Sequence, residues 1–276
     1  MFSVGKDLSV KSKRYGSLDP KDWVAEGDGL LMSSTLIRRA WSRRRRMVSQ
    51  SIEEKRPRRD LWEALVGMPR ASMLLIAYAT EMFLKSGICR LYKNCNDYVV
   101  HDETKRLGHK LDKLAVELSL GLSSEELVQL GNLAKLITDA RYPVVAHDQA
   151  TYIRKKNTQT HEIWNDKGFV ACRKLVQKIR TKVCLIDRDY SNPSSHRHIP
   201  LGNGGYIAFR TGGHLPTRIT FESDDANVDV RWIEEAIFAD PRLIEMQLRW
   251  KQTSVYRFEK GKIGKRSTMT LLRSIG

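Results

Sequence analysis

The chain has 276 residues, of which 41% are hydrophobic and 29% charged, with a mean hydropathy of −0.44. That is the composition of a globular protein of one or two domains, and it excludes a disulfide-held miniprotein and a low-complexity polymer. Forty-eight Lys and Arg against 32 Asp and Glu leave a net charge of +16, which points to a polyanionic partner such as nucleic acid or an anionic membrane surface. The longest apolar stretch, Met73 to Ala79, is cut by Thr80 and Glu81. It falls short of the roughly 20 residues a span needs, so no transmembrane helix and no membrane partner are expected. The start, Met1 to Asp7, lacks the basic-then-apolar order of a secretory signal, and a cytoplasmic location is expected. Cys89, Cys95, Cys172 and Cys184 show no CxxC spacing and read as reduced thiols packed among apolar residues.

In chain order, residues 1–34 read as an N-terminal extension. The segment Arg38-Arg39-Ala-Trp41-Ser-Arg43-Arg44-Arg45-Arg46 then holds six arginines in nine residues. It is either a solvated basic face or an arm that grips RNA, with Arg38, Arg39, Trp41 and Arg43 to Arg46 as contacts, because guanidinium pairs with phosphate and stacks on bases. From Pro69 to about Lys93 the chain is apolar on nearly every face, which predicts the central buried helix of a bundle. Glu81 and Lys85 lie four apart on it, as an internal ion pair or as the polar lining of a cleft.

Asp97 to Gly108 reads as a polar loop, and Leu111, Leu114, Ala115 and Leu118 mark a short helix ending before Gly121. Ser123 with Glu126 forms a capping box for a helix carrying Leu127, Leu130, Ala134 and Ile137. Pro143 bars that helix from continuing past Arg141 and Tyr142. Phe169, Cys172, Val176, Ile179 and Val183 predict a basic amphipathic helix over 166–183.

Beyond Asp187 the composition changes. A Ser/Pro linker at 191–195 precedes strand-like runs at 205–211 and 218–222 separated by Gly212-Gly213, then a helical stretch 229–249 broken near Pro241, then a second hairpin over 254–259 and 267–272. Residues 35–186 are thus expected to form a helical bundle and residues 187–276 a small α+β appendage, a mainly α fold. The Gly202-Asn-Gly204-Gly205 stretch is a turn and not a phosphate loop, and His196-Arg-His198 with His214 reads as loop, so neither metal nor cofactor is predicted.

Glu81-Met-Phe-Leu84-Lys85, Gly108-His109-Lys-Leu111-Asp-Lys-Leu114 and Ala140-Arg141-Tyr142-Pro143 follow one another in the order and approximate spacing of HEPN domains, a family named for nucleotide binding in higher eukaryotes and prokaryotes. Over about residues 35–185 the chain resembles that family. The resemblance implies an up-and-down bundle of four or five helices, commonly paired as a homodimer. It also implies a pocket to which Glu81, Lys85, His109, Tyr142 and Asp148 are candidates.

Ribonucleolytic members carry an arginine followed after four to six residues by a histidine, and here Arg141 and His147 have five residues between them. The resemblance therefore implies a metal-independent endoribonuclease, a toxin or anti-phage effector with an antitoxin or regulatory partner. His147 would be the general base or acid and Arg141 the stabiliser of the phosphate. The alternative is a non-catalytic nucleotide- or RNA-binding module with a partner-recruiting C-terminal region, in which Arg141 and Pro143 only shape a turn.

Overall fold

A computed structural model describes residues 16–53, 59–139, 148–151, 153, 165–201, 204–225, 228–261 and 267–274. The chain divides into two compact units: a helical one built from 20–86 and 109–183, and a mixed one built from 1–19, 87–108 and 184–276. This division differs from the expected blocks 1–34, 35–186 and 187–276. The first helix, α1 (Pro20–Glu53), runs through the boundary at 34/35, and residues 87–108 belong with the C-terminal region.

Five fully described helices carry the helical unit: α1, α2 (Arg59–Leu91), α4 (Leu111–Glu117), α5 (Ser124–Asp139) and α6 (Asp166–Leu185), while α3 (Asp97–Leu107) lies in the mixed unit. Pro20 opens α1 at its first position, where a missing N–H costs nothing. Along α1 and α2 the contacts run in opposite senses. Ser86 Oγ donates to Pro20 O (2.8 Å), and Trp41 Nε1 donates to Leu65 O (3.2 Å). A Cβ on Gly27 would lie 2.6 Å from the Phe83 ring, so the helices approach closely there. Arg180 Nη2 meets Asp28 Oδ2 at 2.7 Å, and Arg38 Nη2 meets Asp166 Oδ1 at 2.9 Å. Lys178 Nζ reaches Glu126 Oε1 (2.6 Å), and Gln129 Nε2 reaches Cys172 Sγ (3.2 Å). Helix α6 is therefore antiparallel to both α1 and α5, giving an up-and-down order of α2, α1, α6 and α5.

The start expected at Pro69 is corrected: α2 begins at Arg59 and carries Pro69 in its interior. Proline cannot donate to the carbonyl four residues before it, which is that of Leu65. The Trp41 indole N–H takes that acceptor instead. Trp41 is 0% exposed and forms a core with Val48, Leu61 and Leu65. The capping box is present in both directions, with Glu126 N–H donating to Ser123 Oγ (3.2 Å) and Ser123 N–H to Glu126 Oε2 (2.9 Å). Helix α2 is also the described helix long and apolar enough to cross a membrane. Its apolar window is 72% buried, as befits a core helix.

In the mixed unit, β1 (Ser195–Pro200), β2 (Tyr206–Thr211), β3 (Arg218–Glu222), β4 (Ser254–Glu259) and β5 (Thr268–Arg273) form one sheet in sequence order. All neighbours are antiparallel except β3 and β4, which are parallel. That pair needs a crossover, supplied by α7 (Val230–Ala239) and α8 (Ile244–Arg249). The two expected hairpins are thus parts of a single sheet. The loop expected at 97–108 is helix α3, whose Val99, Val100, Thr104 and Leu107 are buried on one stripe. The loop expected at His196 to His198 is strand β1, paired with β2.

Side chains alternate across this sheet. Ile207, Phe209, Ile219, Phe221 and Val255 pack with Ile233, Ile237, Met246 and Trp250 from α7, α8 and the turn after them. The opposite face is polar yet buried. Arg210 Nη2 pairs with Asp187 Oδ1 (2.7 Å) and its Nη1 donates to Arg90 O (2.9 Å), while the Arg218 guanidinium lies 4.8 Å from the Tyr92 ring and 3.7 Å from that of Tyr256. Tyr98 donates to Glu222.

Two predictions follow from these arrangements. Trp41→Phe leaves the Leu65 carbonyl buried and unmatched at a cost of about 2 kcal/mol. In a Pro69→Ala background the restored N–H at 69 serves that carbonyl, and the same substitution costs about 1 kcal/mol less. A urea double-mutant cycle measures the difference, and equal costs in both backgrounds would reject the account.

The second concerns His196, whose ring nitrogens are buried without a hydrogen-bond partner among the described residues. Burial, then Arg210 and Lys93, lower its pKa to about 4, opposed by Asp187. The native state therefore holds fewer protons than the unfolded chain below pH 6.5. This stabilisation is complete above that pH and is lost as pH falls toward 4. His196→Asn should flatten the stability profile between pH 6.5 and 4, and an unchanged profile would reject the assignment.

Candidate functional site

Within the helical unit, three of the residues singled out from sequence come together. Glu81 and Lys85 are one turn apart on α2, and their Oε1 and Nζ atoms lie 2.6 Å apart. His109, just ahead of α4, brings its Nδ1 to 2.8 Å from Glu81 Oε2. An ionised carboxylate only accepts, so Nδ1 carries the proton and donates. Both oxygens of Glu81 are therefore engaged, as a carboxylate that is 2% exposed requires. Lys85 also lies 5.4 Å over the ring of Trp23, on α1. The His109 side chain is 40% exposed and joins the cluster to solvent.

Of the alternatives left open for Glu81 and Lys85, the structure shows the internal ion pair, with His109 on its solvent side. Lys85 has three ammonium hydrogens and spends one on Glu81, and its charge lies over the Trp23 ring. Trp23 was absent from the sequence-based candidates. Its only signal was its place in the first turn of a helix whose start went unread.

Arg141, Tyr142 and His147 lie outside the described residues. Asp148 is described and exposed, and its Oδ1 accepts the Thr151 N–H at 2.7 Å, a helix-capping contact. Helix α5 ends and α6 begins at the level of the Arg38–Asp166 pair, whereas Glu81 stands near the level of Gly27 and Asp28. Ten residues of α1 separate the two levels, about 15 Å at 1.5 Å per residue. The C-terminal end of α5 accordingly stands at the far end of the unit from the Glu81 cluster.

The arginine tract divides in two. Arg38 is 4% exposed, with its Nε 3.1 Å from Asp166 Oδ1 and its guanidinium 4.2 Å from the Trp41 ring and 5.0 Å from that of Phe169. Burial pulls its pKa below the usual arginine value, and Asp166 works against that shift. Arg38 and Trp41 are therefore corrected from RNA contacts to core residues, since a sealed indole offers no face to a base. Arg39, Arg43, Arg44, Arg45 and Arg46 are exposed. Arg45 also reaches Asp166 at 3.5 Å.

Comparison with known proteins finds no matching family model, no similar curated protein and no similar solved structure.

Replacing Glu81 by Gln leaves the Lys85 ammonium, 14% exposed, without its counter-charge, and should cost about 3 kcal/mol. Glu81→Gln with Lys85→Met removes both charges and should recover most of that loss, whereas His109→Ala costs about 1 kcal/mol. Urea midpoints measure all three. A Glu81→Gln variant within 0.5 kcal/mol of the parent (roughly the error of such comparisons) would show that the cluster is not a stabilising unit.

Proposed function

We propose that this chain is an RNA-acting protein of HEPN type, a metal-independent endoribonuclease in which the helical unit binds RNA and Arg141 and His147 cleave it. The observation that carries the proposal is the convergence of Glu81, Lys85 and His109. The resemblance singled these out from segments nearly thirty residues apart, and they meet through hydrogen bonds of 2.6 and 2.8 Å in an up-and-down bundle. The exposed arginines of α1 supply the attraction for phosphate.

In the proposed reaction His147 takes the proton of a ribose 2′-OH, and the oxygen attacks the adjacent phosphorus. The bond from phosphorus to the 5′-oxygen breaks, and that oxygen receives a proton. The products are a 2′,3′-cyclic phosphate and a 5′-OH, with Arg141 neutralising the charge that builds on the phosphate oxygens. A homodimer would supply two such pairs, and a toxin or anti-phage role with a regulatory partner fits an enzyme that acts on cellular RNA.

One observation favours a second reading, a non-catalytic nucleotide- or RNA-binding module. Among the described residues, the predicted pocket residues that meet, Glu81, Lys85 and His109, stand at the far end of the bundle from the end of α5. Purified parent and His147→Ala proteins incubated with total RNA in chelator separate the two. Cleavage to cyclic-phosphate ends by the parent, reduced at least a hundredfold in the variant, supports the enzyme. Equal degradation rejects the role of His147, and bound nucleotide without cleavage supports the module.

A further inference from the structure

The aromatic residue expected among the arginines, Trp41, is sealed in the core, but the next helix supplies another. Trp62 on α2 stands one position off the Leu61–Leu65 seam that faces α1, so its indole leaves the helix contact and is 46% exposed. The antiparallel register set by Trp41 against Leu65 and by Gly27 against Phe83 puts Trp62 level with Arg45 and Arg46. Val66, one turn along, is 59% exposed, and the Arg59 side chain, one turn before, is 93% exposed. Around Trp62 the charge is mostly positive. Arg43, Arg44, Arg45 and Arg46 are all exposed on α1, against the carboxylate of Asp60, which is exposed in the first turn of α2, and those of Glu63 and Asp166, which are engaged by Arg59 and by Arg38 with Arg45.

From this juxtaposition of an open indole with a fan of exposed arginines, we propose that the α1–α2 end of the helical unit binds single-stranded RNA, with Trp62 stacking on an unpaired base and Arg43, Arg44 and Arg46 holding its phosphates. The proposal rests on the RNA-acting reading above and names the kind of strand it takes. Stacking needs an accessible ring face, and a duplex hides its bases. Arg43, Arg44 and Arg46, at 100° steps, fan over about 160° of the circumference of α1, while Arg45 is drawn to Asp166. A flat anionic bilayer could meet only part of that fan, whereas a flexible strand can follow it. The geometry thus favours a polynucleotide over a membrane.

The test uses the full chain and a 12-nucleotide 2′-O-methyl oligouridine, which cannot be cut by attack of a ribose hydroxyl, together with a duplex of the same length. Fluorescence anisotropy is read across a salt series. Trp62→Ala should weaken single-strand binding roughly tenfold or more, leave duplex binding and the salt slope unchanged, and be largely rescued by Trp62→Phe. Arg43→Gln with Arg46→Gln should weaken both ligands and flatten the slope. Circular dichroism melts check that the variants fold, as expected for exposed positions.

If the parent binds and Trp62→Ala binds equally well, the stacking role is overturned while the RNA-acting reading stands. Loss of duplex and single-strand binding in equal measure overturns it as well. A parent that ignores RNA and binds phosphatidylserine vesicles overturns both.

Discussion

The indole of Trp41 hydrogen-bonds to the one carbonyl of α2 that Pro69 leaves without its helical donor. A buried unmet carbonyl would weaken or bend an apolar helix at its middle. With the indole in place, α2 runs through the proline for 33 residues, and α1 is pinned to it at a defined height. That height decides which arginines of the tract face inward. Trp41 takes Arg38 and Arg45 onto its ring, Arg38 draws Asp166 of α6, and the third helix of the bundle is thereby set in register.

Both units bury charge, and each holds a buried group matched by a specific partner. Glu81 is closed off by Lys85 and His109, and Arg210 by Asp187 and the Arg90 carbonyl. Such groups contribute little net stability because desolvation offsets most of their attraction. Their effect lies in selection. A slip of α2 against the segment before α4 would strand a carboxylate, and a one-residue slip of β2 would turn Arg210 into the apolar layer beneath α7 and α8. The polar sheet face is tolerated because the 87–107 segment brings Tyr92, Tyr98 and the Arg90 carbonyl to it.

Local signals in the chain were readable where they are self-contained. The capping box at Ser123 and Glu126, the stripe from Phe169 to Val183 and the break at Pro241 need only near neighbours. Helix α3 was hidden by its polar composition, although Val99, Val100, Thr104 and Leu107 keep helical spacing. Strand β1 was hidden because His196-Arg-His198 is polar and lies on a sheet edge. The parallel pairing of β3 with β4 had no local signal, being made across a crossover of some thirty residues. In the candidate site, Glu81 and Lys85 were legible as a one-turn pair. Their meeting with His109 depended on a contact between separate segments.

The sequence by itself determined a basic, mainly helical chain with a small α+β part, because charge, helical spacing and caps are properties of short stretches. Only the tertiary structure decided which of the tract's side chains face solvent, that Trp41 is core while Trp62 is open, and that the Glu81 cluster stands apart from the α5–α6 end. Those outcomes are set by the register between helices, which depends on a proline in one helix and a tryptophan 28 positions earlier in another.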